Sequence, residues 1–319
     1  MKTFSALSLL LSIVLLLNCS RNNDEPSAST NDVIGMYLSK KYENSEINKF
    51  TVQYGTRPNF QNMQYTSEDT KSTEVNEPIL NLKMDLYLPP NPNAQRKPLL
   101  IMIHGGGFSG GDKKAWDAEA YSYATAGYIC ASVNYRLTKQ GGNQSPQLRL
   151  FAVQCALEDS QNAIRFLKKN AAEYSIDPTR IVVFGGSAGG VLSLLNAVEY
   201  DTAFGANDYT GFSSKTQGSI STGASLINDD PANQPGLIRF DATDSPALMF
   251  HAKEYDSGGN GYTWTQNAVP TQAAINNSGN TCTLVAQPNM THTVSLNLGG
   301  TYWNDLKPFL WEKLRLSEL

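Results

Sequence analysis

Short runs of apolar residues recur along this chain, most of them too brief to be helices. Residues 82–88, 99–103, 128–134, 181–184, 246–250 and 283–286 are rich in Leu, Ile, Val, Met, Ala or Phe. Runs of this length next to Gly, Pro, Asn or Asp predict strands buried on both faces. Between them the period changes. From Ala152 to Tyr174, Ala156, Ala163, Phe166, Leu167 and Asn170 recur near helical spacing, which predicts a helix. The alternation predicts an α/β architecture, a mainly parallel sheet covered by helices on both faces. Trp303, Phe309 and Trp311 belong to a closing helix and are expected in the core. Residues 200–245 are rich in Gly, Ser, Asp and Asn and read as one long irregular region.

The amino terminus follows another pattern. Met1-Lys2 precedes an apolar stretch from Leu7 to Leu17, broken only by Ser8 and Ser12. That suits a signal peptide over residues 1–18 and is too short for a membrane span. It ends at Leu16-Leu17-Asn18-Cys19, similar to a bacterial lipobox whose cysteine is lipidated. Plain secretion with cleavage nearby is the alternative. Residues 19–32 then read as the lipidated Cys19 and a polar tether. The expected location is exported, anchored at the membrane in the periplasm or on the outer surface, otherwise secreted. Residues 33–319 suffice for one large domain. The net charge of −4 and the lack of a long basic run argue against nucleic acid. With Cys19 lipidated, Cys130, Cys155 and Cys282 remain and allow at most one disulfide. Cys130 and Cys155, the latter read as opening a helix, are expected in the core. No Cys–His spacing suggests zinc and no EF-hand pattern occurs, so neither metal nor cofactor is expected.

The chemistry concentrates at two glycine-rich strings. Ile181-Val182-Val183-Phe184 runs into Gly185-Gly186-Ser187-Ala188-Gly189, followed by a helical pattern. G-x-S-x-G between strand and helix lifts a serine hydroxyl out of a strained turn. Upstream, Pro98-Leu99-Leu100-Ile101-Met102-Ile103 ends in His104-Gly105-Gly106-Gly107-Phe108. Ester hydrolysis passes through an oxyanion, which needs fixed donors. The N–H groups of Gly106, Gly107 and Ala188 are the candidates for that oxyanion hole. On these two strings the chain resembles the α/β-hydrolase serine esterases, in the carboxylesterase and hormone-sensitive-lipase-like branch with the HGGG motif. Asp85-Leu86-Tyr87-Leu88-Pro89, Asn134-Tyr135-Arg136-Leu137 and Asp177-Pro178-Thr179-Arg180-Ile181 are similar to further segments of bacterial secreted esterases. The resemblance spans roughly residues 80 to 315. It implies the α/β-hydrolase fold, and the polar character of 200–245 implies no large cap domain. Leu226-Ile227 could there end a further strand and line the acyl pocket.

A serine nucleophile needs a base, and the chain has three histidines. His104 belongs to the oxyanion loop, where its ring would prop the glycines. His251 ends the strand that should lead to the acid. The family's chain order, serine then acid then histidine, leaves His292 to close the triad. The family's acid stands four residues beyond a histidine, but here that position is Tyr255. Asp256 is the first candidate and Glu254 the alternative. Trp116, Tyr121, Tyr123, Tyr262 and Trp264 lie near loops above the sheet, either as loop packing or as a platform for a ring. The resemblance implies a carboxylic ester hydrolase acting on small or polysaccharide-borne esters, with acetyl or feruloyl groups as candidates. A general short-chain carboxylesterase, or a surface binding protein without catalysis, are the alternatives. Membrane contact would come only through Cys19, and the oligomeric state stays open.

Overall fold

A computed structural model of the protein describes residues 35–60, 65–66, 76–91, 93–139, 144–202, 207–227, 238–258 and 263–319. Residues 1–18 and 19–32, read above as signal peptide and tether with Cys19, and Tyr262 lie outside the described residues. One sheet has eight strands. They are β1 Asn48–Pro58, β2 Ile79–Leu88, β3 Lys97–Ile103, β4 Ile129–Val133, β5 Ile176–Gly186, β6 Gly218–Thr222, β7 Ala247–Ala252 and β8 Cys282–Gln287. The order across the sheet is β1-β2-β4-β3-β5-β6-β7-β8. Pairing is antiparallel from β1 through β2 to β4 and parallel from there to β8.

The helices that cover the sheet are α1 Asp117–Ala124, α2 Pro146–Lys169, α3 Ala188–Val198, α4 Val269–Asn277 and α5 Trp303–Lys313. Side-chain alternation along β3 separates two cores. Leu99, Ile101 and Ile103 pack with Ala152, Ala156 and Leu167 of α2 and Leu192 and Leu195 of α3. Leu100 and Met102 pack with Ala120, Tyr123 and Ala124 of α1 and Leu306 and Leu310 of α5. Both faces of the central strands are therefore buried, as uninterrupted apolar runs require. Each such side chain contributes about 1.5–3 kcal/mol over an exposed position. Trp303, Phe309 and Trp311 lie half-buried against the second core.

Several elements differ from the sequence reading. Helix α2 runs from 146 to 169 rather than 152 to 174. Ser145 accepts the Leu148 N–H at 3.2 Å and Pro146 takes the first helical position, two start signals that outweigh the apolar period. Cys155 therefore sits inside the helix and does not open it. Strand β1 is an edge strand whose Phe50 and Val52 pack against the core while Lys49 and Thr51 bond to the carboxylates of Asp117 and the buried Asp85. Strand β6 crosses the region read as irregular. Its Ser219 is fully buried and sits 2.9 Å from Ser193 Oγ of α3, which also lies 3.0 Å from the Val183 and Ile220 carbonyl oxygens. Small residues flank Ile220 in β6, so no apolar run marks the strand. Leu226-Ile227 lies beyond the end of β6. Both N–H groups are held by Thr271 Oγ1 at 3.0 and 2.9 Å, and Leu226 packs into the first core.

No disulfide joins the three described cysteines. Cys130, Cys155 and Cys282 are free and buried, and burial pushes the Cys282 thiol up to about 12 and Cys155 up to about 11. Of the aromatic residues, Tyr123 belongs to the core with Tyr128, Phe184 and Trp303. Tyr121 stands edge-on to Tyr87. Trp264 lies 6.5 Å from the His251 ring.

Candidate active site

Ser187 stands between β5 and α3 with φ 54° and ψ −121°, strained for a residue with a side chain. Packing enforces the turn. A Cβ on Gly185 would sit 1.9 Å from the Gly189 carbonyl oxygen, and one on Gly189 would sit 2.0 Å from the Ile103 oxygen. No side chain fits at either crossing. The Ser187 N–H donates to the Thr222 carbonyl at 2.9 Å, tying the turn to the end of β6. The Gly105–Gly107 loop at the end of β3 lies against the same turn and lines the cleft with Ser187. His104 props that loop, as expected. Its ring stacks on Tyr135 with centroids 4.4 Å apart, and Nδ1 donates to the Gly105 carbonyl at 2.7 Å.

His292 Nε2 lies 2.8 Å from Ser187 Oγ, and its Nδ1 lies 2.8 Å from Asp256 Oδ1. Asp256 is 2 % exposed, whereas the His292 side chain is 29 % exposed toward the cleft. The carboxylate also accepts the Gly258 N–H at 2.8 Å. Glu254 is solvent-exposed and takes no part in this chain of contacts. The structure thus brings Ser187, His292 and Asp256 together and leaves the alternative acid outside. His251, fully buried at the end of β7, stands behind the acid. Its Nδ1 donates to the Ala252 carbonyl at 3.1 Å, and Nε2 faces Thr263 Oγ1 at 3.3 Å and Asp256 Oδ2 at 3.8 Å. Burial pushes the ring's pKa down and favours the neutral form, despite the nearby Asp256.

A second layer, absent from the sequence reading, fixes the histidine loop. Gln287 at the end of β8 donates to the carbonyls of Thr291 and His292 at 2.8 and 2.9 Å. Thr222 Oγ1 donates to Gln287 Oε1 at 3.1 Å and accepts the Val294 N–H at 3.0 Å. Gly258 backs onto the imidazole so closely that a Cβ there would meet His292 Cγ at 2.2 Å. The one local hint was a glutamine interrupting the end of an apolar strand shortly before His292. The cleft itself encloses about 560 Å³, with Trp116, Glu119, Val294 and Ser295 forming the wall beyond His292. Of the aromatic candidates among the described residues, Trp116 alone lines it. Among the described residues no group of three or more His, Cys, Asp or Glu side chains is placed to hold a metal.

The family model BD-FAE matches residues 84–226. Carboxylesterase NlhH of Mycobacterium tuberculosis is 33% identical over 120 residues, 37% of this chain and 34% of that protein. Human arylacetamide deacetylase-like 2 is 32% identical over 130 residues, 39% of this chain and 30% of that protein. The chain thus spans about a third of the length of these curated relatives. Esterase 2 of Thermogutta terrifontis, in a structure phosphorylated by paraoxon, superposes with a TM-score of 0.63 at 20% identity. The match covers 85% of this chain and 95% of that one. The fold is that of the α/β-hydrolases. The sheet order, with the serine turn after the fifth strand, fits that assignment.

Proposed function

We propose that the protein is a carboxylic ester hydrolase that works by acyl transfer through Ser187, His292 and Asp256. The observation that carries this reading is the unbroken run of contacts from Ser187 Oγ through the imidazole to a buried carboxylate, at 2.8 Å and 2.8 Å. Each group then has one task. His292 Nε2 takes the proton as Ser187 Oγ attacks the ester carbonyl, and Asp256 holds the Nδ1–H tautomer and balances the imidazolium. The N–H groups of Gly106, Gly107 and Ala188 receive the oxyanion. His292 returns its proton to the leaving alcohol, then activates the water that releases the acid. The triad itself needs no metal and no cofactor for these steps.

The α/β-hydrolase placement and the esterases among the relatives support the reaction class. The substrates we favour are acetyl or feruloyl esters on polysaccharide, met outside the cell by an enzyme tethered through Cys19. A general short-chain carboxylesterase is the second form of the same reading. Turnover of 4-nitrophenyl acetate, methyl ferulate and acetylated xylan tests all of it. Ser187→Ala removes the nucleophile without disturbing the fold and should abolish turnover of every ester. Retention of the original rate by that variant overturns the assignment.

A further inference from the structure

We propose that Glu119 selects substrates whose alcohol portion carries free hydroxyl groups, as a partly acylated sugar does. The inference rests on the esterase reading, since the selection is exerted in the cleft that holds Ser187. Glu119 lies in the first turn of α1 and is 8 % exposed, yet it lines that cleft. Ser295 Oγ donates to its Oε1 at 2.9 Å. Among the described residues the side chain makes no other hydrogen bond and no ion pair. The helix N-terminus favours negative charge at this position but leaves Oε2 without a donor. That oxygen is the acceptor the cleft offers to a ligand.

The neighbours narrow the ligand's chemistry. Trp116 sits beside Glu119, its Nε1 fixed on the Ile103 carbonyl at 3.0 Å, so the indole is a rigid apolar wall. The Ser295 hydroxyl adds a second polar point on the rim. A sugar presents both complements: C–H faces that lie on an aromatic ring, and hydroxyls that donate to a carboxylate. An unsubstituted alkyl or aryl alcohol would use the wall and leave Glu119 unanswered, which is how a site gains discrimination.

The test compares wild type with Glu119→Gln, a near-isosteric change that can still accept from Ser295. The substrates are a mono-acetylated methyl xyloside, 4-nitrophenyl acetate and acetylcholine. The expected result is a loss of kcat/KM on the xyloside about tenfold or more beyond the loss on 4-nitrophenyl acetate, carried mainly by KM. Binding of free methyl xyloside, followed by calorimetry, should weaken to a similar degree. This second readout does not depend on turnover. If wild type hydrolyses no ester, the esterase reading falls while the calorimetry still decides the role of Glu119. Equal losses on all three esters, unchanged xyloside binding, or a loss confined to the cationic acetylcholine overturns the proposal.

Discussion

The serine side of the site and the histidine side are held by different means. Around Ser187 the geometry is made by backbone: two glycine-rich turns, each contiguous in sequence, interlock where Gly189 meets the Ile103 carbonyl. Around His292 it is made by side chains from distant segments. Asp256, Thr222 and Gln287 come from the ends of separate strands and meet at one loop. The first kind of site is written as a short motif because the chain's own path excludes other residues. The second depends on which strand ends lie side by side, and that is a property of the sheet. The difference sets what each kind of substitution should do. Changes at the glycines of the serine side should damage folding and activity together, and changes on the histidine side should damage activity first.

The largest effect separates the two candidate acids. Asp256→Asn keeps the shape but offers His292 an amide where the Nδ1–H needs an acceptor of negative charge. The corresponding change in a serine protease triad costs about 10⁴-fold in kcat, and a loss of that order is expected here with 4-nitrophenyl acetate. Glu254→Gln, on an exposed side chain, should stay within about twofold of wild type, where an exposed substitution ordinarily falls. A larger loss at Glu254 than at Asp256 would reverse the assignment.

Two glycines then test the contrast directly. In Gly189→Ala the new methyl meets the backbone of β3 at 2.0 Å, and backbone cannot step aside. Destabilisation of about 3 kcal/mol or more is expected in urea unfolding, with activity lost alongside. In Gly258→Ala the methyl meets the imidazole of His292 at 2.2 Å, a ring that is part-exposed and can swing into the cleft. Turnover should fall by about 100-fold, as for a misplaced catalytic group, while the unfolding midpoint moves much less. Equal stability losses in the two variants would erase the distinction.

Gln287 gives a smaller effect of the same kind. Gln287→Leu strips donors from the Thr291 and His292 carbonyls and leaves Thr222 Oγ1 without its acceptor. Loss of one to two orders of magnitude in kcat is expected, with KM nearly unchanged, because the loop carries the base rather than the substrate. A change confined to KM would show that the loop binds substrate instead.

These contrasts also explain what could be read from sequence. The six apolar runs became β2, β3, β4, β5, β7 and β8; in β3, β4 and β7 every position is buried, as their apolar character requires, whereas β2 and β8 keep positions open to solvent. Ser187, His104 and the glycine loop were legible for a second reason, that tight turns admit few residues. Strand β6 was not, since its Ser219 and Ser221 are buried rather than exposed, Ser219 against Ser193 of α3. The start of α2 at Ser145-Pro146 was written in plain capping chemistry, but the apolar period drew attention to Ala152. The acid stayed open between two carboxylates two residues apart, and only the direction of the chain after β7 could turn one inward. Gln287 left only the hint of a polar residue ending an apolar strand, and Glu119 none, because a glutamine or glutamate looks the same on paper whether it faces water or a buried loop.

The smallest effect concerns His251, which places a titratable group behind the acid. Burial lowers its pKa below the ordinary 6.5. A base whose pKa is lowered by folding takes up its proton more readily in the unfolded chain. Its contribution to stability is therefore complete above pH 6.5 and is lost as pH falls from there toward the lowered value. His251→Asn keeps a side-chain amide where Nδ1 donates to Ala252 but removes the titration. Between pH 7 and pH 5 the Tm of wild type should fall more than that of the variant, and above pH 7 the two curves should run parallel. Identical slopes would mean that the ring protonates as easily in the fold as outside it. Asp256 would then already compensate the charge, and the histidine side would be bound by one shared carboxylate serving two imidazoles.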